Sequence, residues 1–295
     1  MIKYIGRFRF EERSMRTCDL HTHSIYSDGT CTPRELVLMA EGLGLSAVAL
    51  CDHNTADGLD ELLSAAEGKN VEAVAGVELS TDYNGTELHL LALFIPRDSF
   101  GKVEALTCEM NRRKDEANID LALALVGGGF NIDYAEIKSK TPKGKVNRAH
   151  FAAELTCKGY TKSIDEAFAT VLSPEAGYYK EPVRYSIFEM IDFVIDIGAV
   201  PVLAHPFLNL TEEELCAFLP IAKERGLCGM ECLYSEYDEE TTSRSFDIAD
   251  RFGLAYSGGS DFHGENKPSI RLGVGKGNLK IPYEFVLELK KRVTE

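Results

Sequence analysis

No apolar run in this sequence approaches the roughly 20 residues that cross a bilayer, so neither a membrane-spanning helix nor a membrane partner is expected. Its 8 cysteines nowhere pair as CxxC. That removes the thiolate metal motifs and leaves reduced, mostly buried thiols, with Cys18, Cys51, Cys228 and Cys232 in or beside apolar runs. Basic residues are in deficit: 32 Lys and Arg stand against 47 Asp and Glu, a formal charge of −15. Such a chain is a poor electrostatic partner for long duplex nucleic acid or an anionic membrane. An anionic small molecule would need bound cations to reverse the local field. The opening stretch MIKYIGRFRFEERSM has no continuous apolar core and no small-residue cleavage site, so no signal peptide is read and a cytoplasmic location is expected. Residues 1–16 read as an N-terminal extension, either a short extra strand or a loose tail, with Met15 as an alternative start. Internal repeats and low-complexity segments are absent.

What is present is an alternation of strand-length and helix-length segments. Strands are expected near 17–21, 47–51, 71–77, 88–95, 199–204, 229–233 and 255–259. Thr32, Pro33 and Glu35 give the first helix an N-cap, a first-turn proline and a third-position carboxylate. DGLDELLSAAEGKN repeats that logic after Asp57. Alternating strands and helices point to an α/β fold with a parallel sheet and right-handed crossovers. Seven strands suit a closed or nearly closed barrel better than an open sheet. Residues 98–184 break the rhythm and read as an all-helical insertion, a cap on a barrel built from 17–97 and 185–295.

The chemistry is carried by the placement of 7 histidines. His21, His53 and His205 follow or close expected strands, His89 opens one, and His263 follows the last. The C-terminal strand ends of such a barrel share one face, where active sites sit. His21 and His23, two apart on extended chain, point to the same side and can grip one ion, and Asp261 and His263 repeat that spacing. Asp28 and Glu78 add carboxylates near strand ends, and a carboxylate can bridge two ions. Taken singly, His89 reads as a structural hydrogen-bonding residue, Asp28 before Gly29 as a turn residue, and Asp52 as a buttress of its loop. Taken together they have one common explanation, a metal cluster. Six imidazoles and three carboxylates exceed what one ion can use, so two or three divalent ions are implied. A nitrogen-rich set suits Mn, Fe or Zn over Ca.

In order along the chain, DLHTHSIYSDGT, CDHNT, GVELS, ELHLLALF, AHP and GSDFHG resemble the motifs of the PHP (polymerase and histidinol phosphatase) family of metal-dependent phosphoesterases. The segment containing NRAHFA makes the chain similar to the branch that acts on nucleotide-like phosphates and binds three metals. The resemblance implies a distorted (β/α)7 TIM-like barrel. It implies that His21, His23, Glu78 and Asp261 hold one metal, that Glu78, His89 and His205 hold a second, and that Asp28, His53 and His263 hold a third. Asn54 stands where many relatives have Asp, outside the ligand set.

The implied reaction is hydrolysis of a phosphate mono-, di- or cyclic ester of a small nucleotide or sugar, by a hydroxide shared between metals, with release of inorganic phosphate. Asp261 or a histidine such as His263 would move the leaving-group proton. Arg148 and His150 are the candidates for substrate contact and catalysis, joined by Tyr179, Lys180 and Arg184 for binding, with Tyr178 and Tyr179 either stacking a base or packing. The competing readings are histidinol-phosphate phosphatase, a 5'-3' exoribonuclease on short RNA, C–N hydrolysis, and a non-catalytic metal-binding module. Glu78, in place of a bridging lysine, favours phosphorus over C–N chemistry.

Overall fold

The structure, a computed structural model, describes residues 2–11, 15–141 and 146–292. The chain divides into two compact units, Met1–Thr107 with Tyr185–Glu295, and Cys108–Arg184.

In the first unit the extension folds as a hairpin, β1 (Ile2–Ile5) against β2 (Phe8–Glu11). It is no loose tail: Phe8 packs 6.0 Å from the Tyr256 ring and 5.9 Å from that of Phe285. Residues 1 and 12–14 of the extension lie outside the described residues. The barrel strands follow: β3 (Thr17–Asp19), β4 (Ala47–Leu50), β5 (Glu72–Tyr83), β6 (Thr86–Leu93), β7 (Val200–Leu203), β8 (Gly229–Tyr234) and β9 (Ala255–Gly259), with a short β10 (Ile281–Pro282) antiparallel to β3. The sheet runs β10-β3-β4-β5-β6-β7-β8-β9. It closes along the end of β9 and just past β3, where Leu20 N–H donates to Gly258 O at 3.1 Å and His23 N–H to Phe262 O at 2.9 Å. The seven strands from β3 to β9 therefore make the distorted α/β barrel.

One expectation fails. The sheet is not parallel throughout, because β5 and β6 form an antiparallel hairpin and β6 also pairs antiparallel with β7. The cause is local. Asn84 and Gly85, both at positive φ (53° and 84°), make a two-residue turn of the kind whose twist matches paired strands. β6 thus runs opposite to its neighbours, and its early residues lie at the end where the other strands finish.

Helices cover the barrel. α1 (Pro33–Gly42) starts as expected, with Thr32 and Glu35 forming a reciprocal capping box and Pro33 in the first turn. α2 (Leu59–Ala66) does not repeat it: its N-cap is Gly58, without a side-chain cap, and Asp57 lies one residue too early. Further along come α7 (Ile187–Asp196), α8 (Glu212–Glu224), α9 (Glu239–Phe252) and α10 (Glu284–Lys291). α7 buries Ile187, Met190, Ile191 and Val194, the i, i+3, i+4, i+7 stripe of an amphipathic helix, against β5, β6 and β7. Full burial of each such side chain contributes about 1.5–3 kcal/mol.

The second unit is helical. It comprises most of α3 (Phe100–Gly127), then α4 (Tyr134–Lys140), α5 (Arg148–Cys157) and α6 (Ile164–Ala169). It has its own core, in which Leu121, Leu125, Ile137, Phe151, Leu155 and Leu172 meet. Among the described residues no helix is long and apolar enough to cross a membrane.

Candidate metal centre

The turn after β3 carries His21 and His23 on extended chain, both fully buried and pointing the same way. β5 presents Glu78, almost wholly buried. Because β6 returns antiparallel, His89 stands opposite Ser80 and on the same face as Glu78, with its Nδ1 2.7 Å from Glu78 Oε1. The reversal missing from the sequence reading is what brings His89 to the centre. His205 follows β7 and Asp261 follows β9, at φ 26° and 58°. Non-glycine residues rarely occupy that region, and strain of this kind clusters at functional sites.

Glu78 is the hub. Its Oε1 faces His89 Nδ1 at 2.7 Å and His205 Nε2 at 3.0 Å. Its Oε2 faces His53 Nδ1 at 2.9 Å, His21 Nε2 at 3.3 Å and His23 Nε2 at 3.4 Å. Asp261 Oδ1 lies 3.1 Å from His23 Nε2 and 3.9 Å from His21 Nε2. Asp28 lies 3.2 Å from His263 Nε2 and 3.8 Å from His53 Nε2. All nine sequence candidates for metal ligands converge: Asp261 stands against His23, and the other eight, joined by Glu231, supply donor atoms in overlapping groups within 4.8 Å of one another, each able to hold an ion.

The donors themselves fit a cation. His21 Nε2, both ring nitrogens of His23 and Glu78 Oε2 are buried without a hydrogen-bond partner. An orphaned buried polar group costs about 1–3 kcal/mol; His21 Nε2 and His23 Nε2 both face Glu78 Oε2, so one cation there would partner all three, while His23 Nδ1 turns toward Asp28. Burial and the neighbouring His263 hold His23 down at about 3, which leaves it a neutral ligand. Against the penalty of burial, the surrounding imidazoles hold Glu78 and Asp261 well below the usual carboxylate range. Asp28 is likewise pulled down, by its histidines. Burial opposes charge on His21 and His89 too, yet Glu231 and Glu78 raise His21 well above its ordinary value and Glu78 lifts His89 to about 10.

The family model for the PHP domain matches residues 19–164. A 5'-3' exoribonuclease of Haemophilus influenzae is 30% identical over 246 residues, covering 83% of this chain and 89% of that protein. The chain belongs to the PHP-domain family. A 3',5'-nucleoside bisphosphate phosphatase of Chromobacterium violaceum is 28% identical over 257 residues, covering 84% of this chain and 88% of that protein. Among solved structures, a candidate metal-dependent phosphoesterase from Bifidobacterium adolescentis is similar at TM-score 0.75 and 29% identity, over 94% of this chain and 96% of that one. As a PHP-domain protein with this donor set, the chain is a metal-dependent phosphoesterase.

Four functional side chains escaped the sequence reading. Glu231, fully buried on β8, accepts from His21 Nδ1 at 3.1 Å and from His205 N–H at 2.8 Å. Since it can only accept, it places a proton on His21 Nδ1 and turns Nε2 to Glu78. Tyr234, three residues on, donates to Asp261 Oδ2 at 2.8 Å. Residues three apart on a regular strand face opposite ways, but a bulge between Glu231 and Leu233 lets both reach the centre. Lys267 also donates to Asp261 Oδ2, at 2.7 Å. Asp19 accepts from the backbone of Ser260 and Gly273 and ties the first motif to the last. A lone glutamate in the apolar run GMECL was the one available signal for Glu231. Asp52 does buttress its loop, accepting from Ser24 and Ser27. Asn54 adopts φ 47°, which asparagine tolerates, and braces Ser80 on β5 through both its amide atoms.

The substrate candidates lie in the second unit. Arg148 sits 4.4 Å over the Tyr179 ring and 5.8 Å from Phe168. His150 closes the capping box of α5 with Asn147, and burial lowers its pKa. Arg184 pairs with Glu181 at 2.5 Å, Lys180 is exposed, and the Tyr178 ring packs edge-on against Phe130 at 5.8 Å.

Proposed function

We propose that this centre holds two or three divalent ions, Mn, Fe or Zn, and hydrolyses a phosphate ester of a small nucleotide or sugar phosphate, releasing inorganic phosphate. The observation that carries the reading is Glu78, each of whose oxygens faces its own set of imidazoles while Asp28 gathers a third. His21, His23, Glu78 and Asp261 would hold one ion, Glu78, His89 and His205 a second, and Asp28, His53 and His263 a third. Bound there, the metals supply a nucleophile at neutral pH and neutralise phosphoryl charge. The chain's own part is to fix the donors. Glu231 sets the tautomer of His21 and holds the His205 backbone. Asp261 or His263, whose Nδ1 lies 2.8 Å from Asp261 O, would move the leaving-group proton. Arg148 would contact phosphate through its planar fork, with Tyr179 under it to hold that plane or to stack a base. His150, Lys180 and Arg184 join it as substrate contacts.

Two substrate classes follow from the relatives: a nucleoside bisphosphate, and the 5' end of a short RNA. Phosphate release from a nucleoside 3',5'-bisphosphate, a sugar phosphate and histidinol phosphate, run beside nucleotide release from a 5'-phosphorylated RNA oligomer, each with added Mn²⁺, separates them. A protein that binds metal yet turns over none of these would be a scaffold, and the reading would fall.

A further inference from the structure

Asp261 turns one oxygen to the histidines of the cluster and the other to a hydroxyl and an ammonium. Oδ1 faces His23 and His21, at 3.1 and 3.9 Å. Oδ2 accepts from the Tyr234 hydroxyl at 2.8 Å and the Lys267 ammonium at 2.7 Å. Neither donor is there by accident of a floppy side chain. Tyr234 is buried, its ring wedged 5.1 Å from that of His205 and 5.2 Å from that of Tyr237. Lys267 ends a short loop pinned to the Asp28 loop: Asn266 Nδ2 donates to Asp28 O at 2.7 Å, and Glu265 N–H to Thr30 Oγ1 at 2.9 Å.

Resting on the metal-centre reading above, we propose that Tyr234 and Lys267 are positioning residues that hold Asp261 to one-oxygen engagement of its ion. A carboxylate free to turn about its last bond offers both oxygens and fills two coordination positions. With Oδ2 occupied by two donors, Asp261 fills one, and a position stays open for substrate or water, as catalytic sites require. The ammonium also draws charge from the carboxylate, so the ion it holds stays more electrophilic. Groups that orient metal ligands in this way typically change metal affinity ten- to a hundredfold when removed.

The test uses the full metal-free chain titrated with cobalt(II), read by the visible absorption of the bound ion, without substrate. Tyr234→Phe and Lys267→Met are each expected to change cobalt affinity by about tenfold or more, lost orientation lowering it and a freed second oxygen raising it. The double variant is expected to give the weaker, shifted absorption of a higher coordination number, and Lys267→Arg to restore the wild-type spectrum. Single variants that bind within threefold of wild type with superimposable spectra overturn the proposal. Lys267 is 39% exposed, so its replacement should not hinder folding, and that variant keeps the test in hand if the Tyr234 variants fold poorly. A wild-type chain that takes up no cobalt sinks the metal centre itself, and this proposal with it.

Discussion

Replacing Glu231 by glutamine alters one atom, yet the geometry leaves the new side chain no satisfactory pose. Glu231 accepts twice, from His21 Nδ1 at 3.1 Å and from His205 N–H at 2.8 Å, and it is fully buried. Glutamine has one acceptor and one donor. If its oxygen keeps the His205 amide, its NH2 faces His21 Nδ1, which must then accept. The proton moves to Nε2, the nitrogen turned to Glu78, and that nitrogen can no longer ligate. If the amide flips, its NH2 meets the His205 N–H, and a buried donor is left without an acceptor, at about 1–3 kcal/mol. Either way His21 or His205 is displaced from its pose. The expected loss is ten- to a hundredfold in metal affinity, about 1.4–2.8 kcal/mol. Competition between the apo-protein and a zinc-sensing chelator measures it, with the thermal midpoint as the folding control. A Glu231→Gln variant that folds normally and binds metal within threefold of wild type refutes the tautomer role assigned to Glu231.

Metal loading should expel protons. In the metal-free chain Glu78 lifts His89 to about 10, so at pH 8 the ring is charged, and ligation requires it neutral. Calorimetry in buffers of different ionisation enthalpy counts the protons, and a count of zero would contradict the ion-pair geometry. The sign for stability follows from the same shift. A raised histidine stabilises the metal-free fold fully below about pH 6.5, and that contribution disappears as pH climbs through about 10, so apo stability should decline across that interval. Gly259→Ala places a methyl 2.1 Å from His21 Cβ and 2.7 Å from His21 N, which forces the barrel seam apart. Overpacking typically costs about 1–3 kcal/mol, so both the unfolding midpoint and metal uptake should fall; a variant matching wild type in both would mean the seam is looser than described. Arg148→Ala should lower kcat/KM on the best phosphate substrate by more than threefold, and a smaller change (under about 1 kcal/mol) removes Arg148 from the site.

The nine donors were legible because strand ends of a barrel converge wherever they fall in sequence, and because HxH and DxH on extended chain need no tertiary information to point one way. What could not be read was direction. The run 88–95 looks the same whether its strand is parallel or antiparallel, and the signal that decides it, Asn84-Gly85, lies between two runs taken as separate barrel strands. Read as a two-residue hairpin turn, it would have placed His89 correctly on topology alone. Tyr234 was beyond reach for another reason: its orientation depends on a bulge, and a one-residue slip in register moves every later side chain to the other face. Lys267 sits on an irregular loop that no periodicity describes. Asp57, expected to cap α2, shows the reverse error, a local preference overridden when Gly58 takes the cap among Leu50, Tyr26 and Pro33.

The place where the barrel closes and the place where the donors gather are one structure. Leu20 and His23 donate across the seam to Gly258 and Phe262, and Asp261 N–H returns to His21 O at 2.9 Å. His21, His23, Asp261 and His263 lie on the segments that run on past β3 and β9 from that seam. The seam holds only because Gly259 lets the two backbones approach and because Asp19, buried at the end of β3, accepts from Ser260 and Gly273 on the far side. Imidazoles and carboxylates crowded this closely are stripped of water, and His21 Nε2, both His23 nitrogens and Glu78 Oε2 are left without partners that cations would supply. Cations at that point would therefore stabilise the closed barrel as well as the chemistry, by RT ln(1 + [L]/Kd) for each site that exists only in the fold. Metal removal should accordingly loosen the junction of β3 with β9 before it affects the outer turn of the β5–β6 hairpin, where Asp82 pairs with Glu87 and Tyr83 with Thr86 and no donor of the centre lies. Amide exchange in the two segments, with and without chelator, reads that order directly, and faster exchange in the hairpin than in the seam would show that closure does not depend on the ions.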